Sequence, residues 1–249
     1  MQHNGAEILN YWNQPNVESM YDKHLLNAEI SLIRARIPPG VKILDAGCGE
    51  GEGTLVYASI SGTTVYAVDS SETRLELARR RLATYVNIKL SQVDFLGEYT
   101  LDTDFDIVVS QRFLINLLEW DLQRKVLADL MTLLRTGGKL LLLEGSQQGV
   151  DSLNQFRAAW GLDPIPIKWH NLFFDDVQLI AFMNSQGYQL LEEVGLGTYF
   201  MLTRGIRPIL DRDLHWDCEY NRLAATKRID ELLGLGGRFS RLKLWVFQK

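Results

Sequence analysis

The segment Ile43-Leu-Asp-Ala-Gly-Cys-Gly-Glu-Gly51 is an apolar strand that empties into a glycine turn. A second apolar strand, Val65-Tyr-Ala-Val-Asp69, ends on an acid eighteen residues beyond Gly51. This pairing predicts a nucleoside-binding α/β sheet. In such sheets the loop after the first strand lets a ligand approach bare backbone, and an acid ending the second strand accepts hydrogen bonds from ribose hydroxyls.

Around that pair, apolar runs alternate with amphipathic stretches. Strands are expected over Val41–Ala46, Thr64–Asp69, Asn87–Val93, Phe105–Ser110, Lys139–Glu144, Gln189–Val194 and Leu242–Phe247. Helices are expected over Gly53–Ser59, Glu72–Ala83, Glu119–Leu134 and Asp175–Ser185. Strands separated by helices imply one Rossmann-like, seven-stranded, mainly parallel sheet with right-handed crossovers. A single domain over residues 1–249 follows, with a helical preface at 1–40 and a cofactor-binding half at 41–145. Two segments, 145–174 and 197–241, leave the sheet at its carboxyl edge and are candidate substrate walls.

The glycine spacing restricts the ligand further. A dinucleotide turn, G-x-G-x-x-G/A, needs a small third residue beneath a pyrophosphate, and here that position holds Glu52. A carboxylate beside a pyrophosphate is repelled, so a ligand without phosphates fits better. Asp45-Ala-Gly47-Cys48-Gly49-Glu-Gly51 resembles motif I, D/E-x-G-x-G-x-G, of the class I S-adenosylmethionine-dependent methyltransferases. That resemblance implies S-adenosylmethionine as cofactor, with Asp45, Gly47, Cys48, Gly49 and Gly51 at its amino-acid end. Asp69 and Ser70 would take the ribose, and Asp94 and Phe95 the adenine. Ser110 and Gln111 would lie near the methyl group, and Tyr11 would fold over the cofactor from the preface. Asp94 can equally cap its own turn, and Tyr11-Trp12-Asn13 can equally be a helix packed on the sheet flank.

Methyl transfer to a hydroxyl benefits from a base, and histidine titrates in the useful range. Of His3, His24, His170 and His215, the last two fall in the substrate-side segments, and His170 is preferred because Trp169 and Phe173 flank it. Glu144 is a further candidate proton acceptor, and Arg112 and Tyr199 are candidate substrate contacts; each histidine can instead be structural. No metal is expected, because Asp102, Asp104 and Asp106 sit at the wrong end of their strand for a hard cation. Cys218–Ala224 and Phe239–Lys249 resemble segments of methyltransferases encoded with bacterial surface-polysaccharide and sugar-modifying genes, which implies a sugar or glycoside hydroxyl as acceptor. Alternatives are N- or C-methylation of a secondary metabolite, a nicotinamide oxidoreductase, which Glu52 disfavours, and a non-catalytic cofactor-binding module.

Net charge is −5, with no basic run longer than Arg79-Arg80-Arg81, so nucleic acid is not expected as a partner. The charge is unevenly placed. Residues 1–198 hold 16 Lys and Arg against 25 Asp and Glu, net −9, whereas residues 199–249 hold 10 against 6, net +4. An anionic group on a small-molecule substrate is therefore a candidate partner for the tail segment. Two cysteines, no signal-like N-terminus and no apolar run of about 18 residues lead to the expectation of a cytoplasmic protein away from membranes. Assembly as a homodimer stays open.

Overall fold

A computed structural model of the chain describes residues 5–14, 16–18, 20–211 and 215–249; His3 lies outside them. Seven strands form one sheet: β1 Lys42–Ala46, β2 Thr64–Asp69, β3 Ile88–Gln92, β4 Phe105–Gln111, β5 Leu134–Gly145, β6 Gln189–Gly195 and β7 Leu242–Gln248. Their order is β3-β2-β1-β4-β5-β7-β6. β1 through β5 pair in parallel, and β7 runs antiparallel between β5 and β6. The order reverses beside β1, and there the carboxyl ends of β1 and β4 open a crevice.

Successive strand residues point to opposite faces, and both faces are apolar. Ile43, Val65, Ile107 and Leu141 pack on one side with Ile33 and Ile37, which lie in and just after α2 (Lys23–Arg34), and with Tyr57 of α3 (Glu52–Ala58). Leu44, Val68, Val108 and Leu140 pack on the other. Their partners there are Leu127 and Leu130 of α5 (Trp120–Leu133) and Leu179 and Met183 of α7 (Asp176–Ser185). α4 (Glu72–Arg81) follows β2, capped by Ser71, whose hydroxyl accepts the Arg74 amide at 3.3 Å.

Four features extend the sequence reading. β5 starts at Leu134, five residues before the expected Lys139, because the irregular step between Phe105 and Ile107 lets the strand absorb the Gly137-Gly138 turn. The preface contains α1 (Gly5–Trp12) and α2, and α2 buries Leu26, Ile30 and Ile33 at helical spacing below an Asp22 cap. The segment after β5 opens with α6 (Gln147–Ala159), capped by Ser146 and burying Val150 and Leu153. The segment after β6 is a chain of short helical turns that includes a π-helical stretch, Met201–Ile206. No helix among the described residues is long and apolar enough to cross a membrane.

Candidate active site

The turn after β1 is held in shape by its own chemistry. Gly47 (φ +74°) and Gly49 (φ +54°) take left-handed backbone conformations that side chains resist. A Cβ at Gly47 would stand 2.5 Å from Phe113, whereas one at Gly49 would project into open space. That space is a cavity of about 460 Å³ at the carboxyl edge of β1, β2 and β4. The Gly49 amide donates to Asp69 Oδ2 at 2.8 Å and the Ser71 amide to Oδ1 at 2.9 Å, so Asp69 ties the two cofactor-side turns together. Each oxygen keeps a second acceptor position. Burial holds the Asp69 carboxyl above the usual carboxylate range. Asp45, buried beneath the same turn, accepts the Thr54 hydroxyl at 2.6 Å, and burial pushes its pKa up to about 6.

Around the cavity the acids outnumber the bases. Asp45, Glu50, Glu52, Asp69 and Asp94 line it, against Arg74 and Arg112. The Arg74 guanidinium is already engaged: it pairs with Glu50 at 2.6 Å and donates to the carbonyls of Trp12 and Val17. The environment suits a ligand with cationic groups and opposes a pyrophosphate. Val93, Asp94, Phe95 and Leu96 form one end, where Asp94 also accepts the Leu96 amide at 2.9 Å, so it caps its turn and borders the cavity at once. α1 covers the opening with Ile8, Leu9 and Trp12, and the Trp12 indole donates to Asn116 at 3.2 Å.

The other end is built from the loop after β4. Gln111, Arg112, Phe113, Asn116 and Leu117 face the cavity, together with Leu26. Glu144 at the end of β5 organises this loop from behind. Its carboxylate accepts the Ser110 hydroxyl at 2.7 Å and the amides of Phe113, Leu114 and Ile115 at 3.0, 3.0 and 3.2 Å. Burial pushes its pKa up to about 7, and these donors restrain the rise. Glu29 of α2 acts from the other side, accepting from Gln111 Nε2 at 2.8 Å and lying 3.1 Å from Arg112 Nε. Arg112 has φ +53°, a conformation that a non-glycine residue keeps only where its surroundings impose it.

Asp45, Gly47, Cys48, Gly49, Asp69, Ser70, Asp94, Phe95, Gln111 and Arg112 all line the cavity. Seven other predicted site residues do not. Gly51 is the left-handed cap of α3 and faces Leu82. Tyr11 turns away from the cavity and stacks on His170 at 4.6 Å, so its helical neighbour Trp12 takes the cofactor side. Ser110 and Glu144 are fully buried and spend their oxygens on each other and on the loop, which makes Glu144 a support rather than a proton acceptor for a substrate. Tyr199 is buried with its hydroxyl donating to Asp22 at 2.8 Å, so it braces α2 instead of touching a substrate. His170 is 4% exposed, and burial with Lys168 nearby lowers its pKa to about 4. It fills a clasp with Tyr11, Trp12 and Trp169. His215 is exposed on the distal insertion, where its carbonyl accepts from Arg207 at 2.8 Å.

Sequence reasoning missed Trp12, Glu50, Arg74, Asn116 and Glu29. Trp12 beside Tyr11, Glu50 inside the glycine turn and Asn116 in the loop after β4 had a local signal, whereas Arg74 and Glu29 had none. Among the described residues, no group of three or more His, Cys, Asp or Glu side chains is placed to hold a metal ion.

Comparison with known proteins adds the family. Residues 43–138 match the methyltransferase domain family. Over 130 residues the chain is 30% identical to demethylmenaquinone methyltransferase of Staphylococcus aureus, a match spanning 51% of this chain and 53% of that protein, about half its length. An O-methyltransferase of Aspergillus nomiae is 26% identical over 190 residues, 73% of this chain and 80% of the relative. In fold, a chain from a methyltransferase–activator complex of Haloferax volcanii superposes with a TM-score of 0.63 at 14% identity, covering 97% of each chain. The glycine turn and all five cavity carboxylates fall within the matched stretch, so residues 43–138 are a methyltransferase domain, whose cofactor is S-adenosylmethionine.

Proposed function

We propose that this protein transfers a methyl group from S-adenosylmethionine to an oxygen of a small molecule. The observation that carries the proposal is the cavity: five carboxylates and an open glycine turn at one end suit a sulfonium-bearing amino acid nucleoside, and a hydrogen-bonding loop closes the other. The sulfonium supplies the reactive methyl and its own leaving group, so the chain's task is alignment. Holding acceptor, carbon and sulfur in line contributes up to about 7–11 kcal/mol. Gln111, Arg112 and Asn116, braced by Glu29 and Glu144, are the side chains that would orient the acceptor. Oxygen is favoured as the methylated atom by the O-methyltransferase relative, which is matched over 80% of its length. A sugar or glycoside hydroxyl is the finer reading, supported by the exposed Trp169, which meets Tyr11 edge-on at 5.5 Å and offers a flat apolar face at the surface.

None of the three candidate bases reaches the cavity, so turnover here rests on alignment. The test is mass spectrometry of acceptor panels incubated with S-adenosylmethionine, scoring a single added methyl in sugars, glycosides and phenols. His170→Ala and His215→Ala should each keep turnover within about tenfold, below the usual contribution of a general base. No methylated product from any hydroxylated acceptor, with amine or carbon acceptors methylated instead, would overturn the oxygen assignment.

A further inference from the structure

The cover over the cavity is held by one side chain of the cofactor half. α1 has eight residues and buries only Ile8, and a helix that short is marginal in water on its own. Its order therefore comes from what it docks on. The last carbonyls of a helix have no partner within it, and α1 carries no basic residue in its last turn to meet them. Arg74 of α4 supplies that cation from another element. Its Nε donates to the Trp12 carbonyl at 3.0 Å, its Nη2 to the Val17 carbonyl at 2.6 Å, and its guanidinium stands 5.5 Å from the centre of the Trp12 ring. The third nitrogen, Nη1, donates to Glu50 Oε1 at 2.6 Å. One buried guanidinium thus joins the chain that carries the cover to the glycine turn.

The same residue is keyed to the ligand side. Arg74 and Glu50 both line the cavity, and beside Glu50 the Gly49 amide is held by Asp69 Oδ2. Asp69 Oδ1 holds the Ser71 amide, at the start of the helix that carries Arg74, and the Ser71 hydroxyl donates to Asn13 Oδ1 at 2.6 Å. A ligand on Asp69 therefore bears on both turns from which this connection is built. A planar guanidinium holds a carboxylate and two carbonyls at once, in a fixed fork that a point-charge ammonium lacks. We propose that Arg74 is a positioning residue that latches α1 over the bound cofactor, so that cofactor and product leave only when Arg74 lets Trp12 go. A closed cover of this kind sequesters the reacting methyl from water. This rests on the methyltransferase reading above.

The test follows two rates in the same proteins: hydrogen exchange of residues 5–14 by mass spectrometry, and dissociation of S-adenosylhomocysteine chased by excess S-adenosylmethionine. In Arg74→Gln, dissociation should be roughly tenfold faster or more, the usual worth of a charge-assisted bond, and α1 should exchange faster in the loaded protein. Arg74→Lys, which keeps the charge but not the fork, should fall between Arg74→Gln and the wild type. A merely structural Arg74 would lower the denaturation midpoint and leave dissociation unchanged, and that result would overturn the assignment. So would faster dissociation with α1 protection intact, since Arg74 would then act on the ligand directly or through Glu50 and not through the cover. Should Arg74→Gln fail to fold, Arg74→Lys decides: both rates rise several-fold if the fork holds the cover, and neither moves if it does not. If S-adenosylhomocysteine does not bind the wild type, the methyltransferase reading fails instead, and α1 exchange in the free wild type against free Arg74→Gln still decides the latch.

Discussion

Between β1 and β5 the ligand cavity is walled by carboxylates, whereas the segments that leave the sheet after β5 and β6 carry the half-buried guanidinium groups of Arg157, Arg204 and Arg241 and the buried one of Arg207. The first region meets its ligand mainly through two neighbouring turns, and Asp69 reaches from one to the amide of Gly49 in the other. The second is assembled from pieces far apart in the chain, such as Asp22 with Tyr199 and Arg204, or Arg241 with Pro166. The first region is a compact acidic cradle built from neighbouring turns, and the second is a looser, arginine-rich layer assembled across the chain.

The largest effect is expected where the cradle is tightest. Gly47→Ala should lose about 1–2 kcal/mol to its left-handed backbone and about 1–3 kcal/mol more to the displaced Phe113, read as a lower denaturation midpoint with cofactor binding lost. A variant that melts normally and binds cofactor would show that the turn is not the rigid half of the comparison. Asp69→Ala comes next. It removes the tie between the two turns and a charge-assisted ribose contact, so cofactor affinity should fall roughly ten- to hundredfold, about 1.5–3 kcal/mol. A titration that cannot tell Asp69→Ala from wild type would remove Asp69 from the site.

A smaller effect follows from pH. With a folded pKa of about 6 against 3.8, Asp45 holds its proton more tightly in the fold than in the unfolded chain. Its contribution to stability is therefore present below pH 3.8 and withdrawn as pH rises through 6, at a cost of about 3 kcal/mol. Ligand binding has the opposite sign, because only the ionised carboxylate attracts the cofactor's amino group. Affinity should rise between pH 5 and 7, by at most about tenfold per unit, and level off above. A flat profile would mean that Asp45 stays ionised throughout or lies out of reach of the amino group.

What could be read in the sequence follows the same divide. Asp45 through Gly51 and Asp69 were legible because β-strand periodicity fixes where each turn falls, and turn chemistry narrows which residues suit it. Trp12 and Tyr11 are adjacent, and only the packing of α1 against the 160–174 segment decides which ring faces the cofactor. Arg74 lies one turn before the basic run Arg79-Arg80-Arg81 with nothing local to set it apart, yet it is 3% exposed and gathers Trp12, Val17 and Glu50. Glu29 sits in a helix whose amphipathic pattern places no acid at the core. His170 misled because its neighbours suggested an apolar acceptor wall; the same neighbours bury it and keep the imidazole neutral.

The most direct test is calorimetric titration of the wild-type protein with S-adenosylhomocysteine and, separately, with NAD at neutral pH and one fixed salt concentration. The expected result is saturable binding of one S-adenosylhomocysteine per chain, weakened in Asp69→Ala, with no measurable NAD binding because Glu50 and Glu52 line the turn where a pyrophosphate would lie. NAD binding as tight as or tighter than S-adenosylhomocysteine, unaffected by Asp69→Ala, would contradict it.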